Sequence, residues 1–167
     1  MNAQVQQAQA GVNALVQRFS TPEAAQMTFS VGAALTEGLR MDVDIRNHRI
    51  TVDEPRALGG TDEGPNPVEL MLASLTTCQA ITYRVWAMKL GIALDSVNVV
   101  ADGQIDLRGF FGVDENVRPG YSSIQLRVQI TGPETDERYR ELADTVDRHC
   151  PVLDIAGKPV SVSRALV

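Results

Sequence analysis

Between Leu70 and Tyr83 the chain reads LMLASLTTCQAITY, fourteen positions without a charge. At helical spacing its apolar and small side chains fall on every face, which predicts a helix buried nearly all round. Such a helix needs more cover than one small domain readily supplies, so it also points to a second subunit. Its start is signposted. Asn66 can serve as N-cap, Pro67 occupies the first turn, and Glu69 sits at the third helical position, where it can complete a capping box. Helix character continues through Arg84, Trp86 and Lys89, and Gly91 ends it.

Around this helix the pattern is mostly of period two. Met27, Phe29, Val31, Ala33 and Leu35 share one face. After a Glu37-Gly38 turn, Leu39, Met41, Val43 and Ile45 do the same, a hairpin with one buried face. Its outer row of Arg40, Asp42, Asp44 and Arg46 reads as solvated charge. Ile50 and Val52 begin a third strand, followed by a loop from Asp53 to Pro67 rich in Gly, Pro and acidic residues, a reasonable place for a site. Later strands fall around Val97–Leu107 and Ile124–Ile130. A second helix starts near Pro133 and is stopped by Pro151, placing Cys150 at its end. A short strand, Val160–Val162, finishes the chain. Ahead of all this, Val5, Ala8, Val12, Leu15, Val16 and Phe19 make an apolar stripe at helical spacing. The expected organisation is a helical extension over residues 1–22 and one α+β domain over 23–167, with hairpins dominating over βαβ units.

The size, 167 residues and 18.1 kDa, suits such a domain. Fifteen Lys and Arg against twenty-one Asp and Glu leave a net charge of −6, without the basic footprint of a nucleic-acid-binding protein. The longest apolar run is far too short to span a bilayer. The N-terminus lacks the basic and apolar regions of a secretory leader. The expectation is a cytoplasmic protein whose two cysteines stay reduced and are either buried filler or chemistry.

Those cysteines are Cys78, in the middle of the uncharged helix, and Cys150, in Arg148-His149-Cys150-Pro151. Cys78 reads as a small core hydrophobe or as a nucleophilic thiolate, which needs a cation or donor that its own helix does not offer within a turn. Glu69 reads as a capping residue or as a partner of Cys78. Nine residues apart on one helix, the two would lie about 13 Å apart on opposite faces, so they can cooperate only across two copies of the helix. Two histidines, His48 and His149, without ligand spacing give no metal site, and adjacent His149 and Cys150 point in different directions. Spacing alone does not show whether the two sulfurs meet.

The run DEPRALGGTDEGPNPVELMLASLTTC, the helix through ITYRVWAMKLGI and the later RHCPV resemble the OsmC/Ohr family of thiol-dependent peroxide-detoxifying proteins. The resemblance covers the chain from about Met27 to its end. It implies an OsmC-like fold, an antiparallel sheet with a long buried central helix, in an intertwined homodimer with sites at the subunit interface. It also implies Cys78 as peroxidatic thiolate, Cys150 as resolving thiol, organic hydroperoxide as substrate, an external dithiol of lipoyl or thioredoxin type as reductant, and no metal or other cofactor. Glu69 and an arginine would complete the site; Arg56 is preferred for its proximity to Glu69 in sequence, and Arg40 is the other candidate. Phe110-Phe111 can line an apolar entrance, although core packing is the expected use of those rings. The alternative function is a non-enzymatic dimer that binds a small apolar ligand at the same interface.

Overall fold

The capping box at the head of the uncharged segment forms as the sequence dictates. In the computed structural model, which describes residues 3–166, Asn66 Oδ1 accepts from Glu69 N at 2.8 Å, and Glu69 Oε2 accepts from Asn66 N at 2.9 Å. From there helix α3 runs unbroken over Pro67–Leu90. Gly91, at φ +64°, ends it in the left-handed conformation that glycine adopts without strain.

Contacts divide the chain into two compact units, residues up to Met71 and from Leu72 onward. The first unit begins with α1 (Ala3–Arg18) and the short α2 (Pro22–Ala25), capped by Thr21. An antiparallel sheet follows, β1 (Gly32–Glu37), β2 (Arg40–Ile45) and β3 (His48–Val52), in that order. Met41 pairs with Val52 and Val43 with Ile50, so the period-two pattern is realised as cross-strand apolar pairs. The strand starts later than the alternation from Met27 suggested, and the face expected to be buried is open. All six residues of β1 are exposed, as are Met27, Phe29 and Val31 ahead of it. No side chain of α1 is buried either.

The second unit holds the body of α3, the antiparallel pair β4 (Ser96–Gln104) and β5 (Ser123–Thr131), the single turn α4 (Leu107–Phe110), then α5 (Asp136–His149) and α6 (Pro151–Gly157). Its core is Tyr83 and Ala87 of α3, Ile92 and Leu94 of the following turn, and Leu142 and Val146 of α5, with Val97 and Ile130 of the sheet packed against them. Arg84 and Tyr139 fasten the turn after α3. Arg84 donates to the carbonyls of Leu94 and Asp95, and the Tyr139 hydroxyl donates to Ala93 O at 3.0 Å.

Three local expectations change. Helix α3 is buried on one side only: Leu75, Gln79, Thr82, Tyr83 and Ala87 are covered, while Ala73, Thr77 and Ile81, one turn apart in succession, are exposed. Pro151 stops α5 but also opens α6, since a proline at the first helical position gives up no hydrogen bond. Residues 160–162 form no strand, and Val160 and Val162 are exposed.

Candidate functional site

Helix α3 presents Cys78 at mid-length, half-buried, and the junction between α5 and α6 presents Cys150, which is 1 % exposed. The two sulfurs lie 3.5 Å apart, with the Cys150 S–H donating to Cys78 Sγ. Seventy-two residues separate them in sequence. The α5–α6 junction is what turns Cys150 inward. Cys150 ends α5 in extended geometry at φ −82°, ψ 112°, and the same residue caps α6.

Burial pushes the Cys150 thiol up. The Leu153 backbone N–H opposes this by stabilising the thiolate, the bond to Cys78 reinforces it, and the Thr82 hydroxyl acts with Leu153. Thr82 stands one turn after Cys78, and its Oγ1 donates to Cys78 O at 2.7 Å. Next to Cys78 in sequence, buried Gln79 has an Nε2 without a hydrogen-bond partner among the described residues. The basic residues just before Cys150 are engaged elsewhere. Arg148 Nη2 donates to Thr145 Oγ1 at 3.0 Å, and the His149 ring stacks on Trp86 at 4.2 Å between centroids. Lys89 Nζ also stands over the Trp86 ring, 3.6 Å from its centroid. His149 and Cys150 do point in different directions.

Of the remaining sequence candidates, Glu69, Arg56 and Arg40 belong to the first unit, each with surroundings of its own. Glu69 is exposed and engaged in the capping box. Arg56 is exposed, at the start of a 3-10 turn, Arg56–Leu58. Arg40 is committed to its own surroundings, with Nε 2.8 Å from Glu63 Oε2, off the line of the N–H, and Nη1 donating to Thr36 Oγ1. Phe110 and Phe111 are not core residues. They meet edge to face at 4.9 Å and stand 65 % and 58 % exposed.

The loop before α3 owes its shape to Asp53, which sequence reasoning passed over. This buried carboxylate accepts from Glu54 N on Oδ1, and from Thr61 N, Thr61 Oγ1 and Glu63 N on Oδ2. These bonds, the Thr61 hydroxyl foremost, hold its carboxyl down at about 2. Two glycines permit the tight packing: a Cβ on Gly60 would overlap the Glu54 carbonyl, and one on Gly64 the Thr51 carbonyl. Three of its four donors are backbone N–H groups and the fourth is the Thr61 hydroxyl, so the sequence carries little signal of its role.

Among the described residues no helix is long and apolar enough to cross a membrane. No curated protein matches the chain. Solved structures do. An OsmC-like protein from Mycoplasma pneumoniae superposes with a TM-score of 0.71 at 21 % identity, covering 80 % of this chain and 90 % of that one. An organic hydroperoxide resistance protein from Elizabethkingia anophelis gives 0.62 at 23 %, covering 80 % and 92 %. A Legionella pneumophila protein described as organic hydroperoxide resistance protein OsmC gives 0.61 at 21 %, covering 78 % and 90 %. These likenesses establish the α+β fold with its antiparallel sheets and long helix. The sequence model of OsmC-like proteins matches residues 60–164, a span that contains α3 and both cysteines, and the chain therefore belongs to the OsmC-like protein family.

Proposed function

We propose that the protein is a thiol-dependent peroxidase that reduces organic hydroperoxides, with Cys78 as peroxidatic and Cys150 as resolving cysteine. The observation that carries this reading is the pair itself, a half-buried thiol 3.5 Å from a fully buried one. The accessible sulfur is the one a substrate can reach, and the buried one is protected from direct oxidation. The Cys78 thiolate attacks the O–O bond, the alkoxide leaves and takes a proton as alcohol, and Cys78 becomes a sulfenic acid. Cys150 then attacks that sulfur, hydroxide departs as water with the proton of Cys150, and the disulfide forms. An external dithiol restores both thiols by exchange.

The reading includes a homodimer. The exposed row of Ala73, Thr77 and Ile81 on α3 and the open face of β1 are apolar surfaces that a second copy would cover. In that assembly Glu69 of one subunit serves the Cys78 of the other, since nine residues of one helix put the two on opposite faces, and Arg56 supplies the cation. Exposed Phe110 and Phe111 suit an apolar approach for alkyl peroxides. Residues 1–22 form an extension on the domain over 23–167, and the thiols work in the reducing cytoplasm.

Consumption of cumene hydroperoxide with a dithiol present tests the proposal. Wild type turns over. Cys78→Ser is inactive, and Cys150→Ser stops at a sulfenic acid. Turnover by Cys78→Ser at the wild-type rate overturns the assignment. An inert wild type that instead binds an apolar ligand saturably, even without thiols, would favour the binding function.

A further inference from the structure

The second unit holds a cleft of about 310 Å³, open to solvent between β5 and α5, and neither cysteine lines it. Small-molecule sites begin at about 300 Å³. The sequence builds the walls by simple periodicity. Val128 and Ile130, two apart on β5, face the same side of the strand, and Asp136, Tyr139, Arg140 and Ala143 fall on one face of α5. Tyr83 of α3, 3 % exposed, closes the floor. Tyr139 is fixed as a wall, because its hydroxyl is engaged with Ala93 O and Glu134 N.

Three polar groups remain, at different depths. The Tyr83 hydroxyl has no hydrogen-bond partner among the described residues, although the residue is almost fully buried. Such a group calls for a partner in the cleft. Burial first, and then the charges of Asp147 and Asp144, push its phenol up to about 12, so it stays protonated and the floor disfavours an anion. At the mouth stand Arg140 and Asp136, four residues apart, with side chains 70 % and 86 % exposed. Their charges approach only to 3.9 Å, and Arg140 otherwise donates to Glu137 Oε1 at 3.4 Å. Loose exposed pairs of this kind contribute little, so a ligand opens them at small cost.

We propose that this cleft binds a free aromatic α-amino acid with a hydroxyl on its ring, of the L-tyrosine kind. Its carboxylate meets Arg140, its ammonium Asp136, its ring the wall of Val128, Ile130 and Tyr139, and its ring hydroxyl Tyr83. A zwitterion brings one charge of each sign, as the mouth does, and the ring hydroxyl brings a neutral polar end to the floor. A monoanion would leave Asp136 facing like charge, and a plain aromatic ring would leave the Tyr83 hydroxyl unpaired. Binding there uses neither thiol and stands whether or not the protein is a peroxidase.

Titration of the full-length reduced protein with L-tyrosine, followed by amide NMR shifts, tests the site. Binding should saturate with a Kd of about 1 mM or tighter, with shifts confined to β5, α5 and the Tyr83 stretch of α3. Three analogues each lack one polar end: tyramine the carboxylate, 3-(4-hydroxyphenyl)propionate the ammonium, and L-phenylalanine the hydroxyl. Each should bind about three- to tenfold more weakly. Tyr83→Phe should weaken L-tyrosine by the same factor and leave L-phenylalanine unchanged. Arg140→Gln should weaken both amino acids and leave tyramine unchanged; Arg140 is exposed, so this variant decides the matter should Tyr83→Phe fail to fold. Absence of saturation, shifts elsewhere in the protein, or equal weakening of L-tyrosine and tyramine in Arg140→Gln overturns the proposal. Binding of 3-(4-hydroxyphenyl)propionate as tight as that of L-tyrosine would leave the ammonium without a partner and overturn the amino-acid assignment.

Discussion

Oxidising the cysteine pair should stabilise the protein, and the size of the gain follows from where the two residues lie. A Cys78–Cys150 bond closes a loop across 72 residues, and the chain-entropy treatment gives about 4 kcal/mol for a loop of that length. The folded state gives back part of this. The sulfurs must close from 3.5 Å to about 2 Å, a shift shared between the rigid α3 and the α5–α6 junction. A net gain of about 2–4 kcal/mol remains, raising Tm by about 5–15 °C. Trp86, the only tryptophan, gives the readout, because it stacks on His149, the residue next to Cys150. Its emission follows urea or thermal unfolding of the reduced protein, of the oxidised protein with the bond verified by mass spectrometry, and of Cys150→Ser treated with the same oxidant. The control should gain nothing. An oxidised form no more stable than the reduced one would refute the argument, since the sulfurs would then have been dragged together from separate native positions.

Further outcomes follow from the first unit. Asp53→Asn removes an acceptor from a carboxylate that serves four donors, so it should lower stability and expose the 53–66 loop to proteolysis. Because the Asp53 carboxyl is held down at about 2 against an ordinary 3.8, its stabilisation is fully present above about pH 4 and fades as pH falls toward 2, and that acid slope in denaturation curves should disappear in Asp53→Asn. Gly60→Ala drives a methyl into the Glu54 carbonyl and should cost about 2 kcal/mol or more. Gly11→Ala, in open space on α1, should stabilise by about 0.5–1 kcal/mol, and urea melts of the two variants should move in opposite directions. Removal of residues 1–22, of which none between 3 and 22 is buried, should leave the second unit's thermal transition in place, and loss of that transition would show the extension to be part of the domain.

What the sequence made legible was local. The Asn66, Pro67 and Glu69 cap and the Gly91 stop sit within a turn of the helix they bound, and β2 and β3 announce themselves by alternation that their register preserves. Val160-Ser161-Val162 has strand composition and no partner strand, Pro151 ends one helix and begins another, and Phe110-Phe111 is apolar yet lies outside the core. Pro151 opens α6 because a proline at the first helical position gives up no hydrogen bond, whereas for the valines and the phenylalanines a neighbour distant in sequence, present or absent, decides the outcome. The same holds for the candidate site. Cys78 and Cys150 could be picked out singly, but only the packing of α5 against the end of α3 brings the sulfurs together, and Thr82 and Leu153 acquire meaning only from that meeting. Asp53 was hidden for the opposite reason: an acid in an acidic loop looks solvated until its four donors are counted.

The most direct test of the central claim is a single-turnover measurement of Cys78 oxidation by cumene hydroperoxide and by hydrogen peroxide, with the product identified by mass spectrometry. The account predicts oxidation far faster than that of a free thiol, faster with the organic peroxide, and ending in a Cys78–Cys150 disulfide. Oxidation no faster than a free thiol, or a disulfide that never joins these two residues, would contradict it.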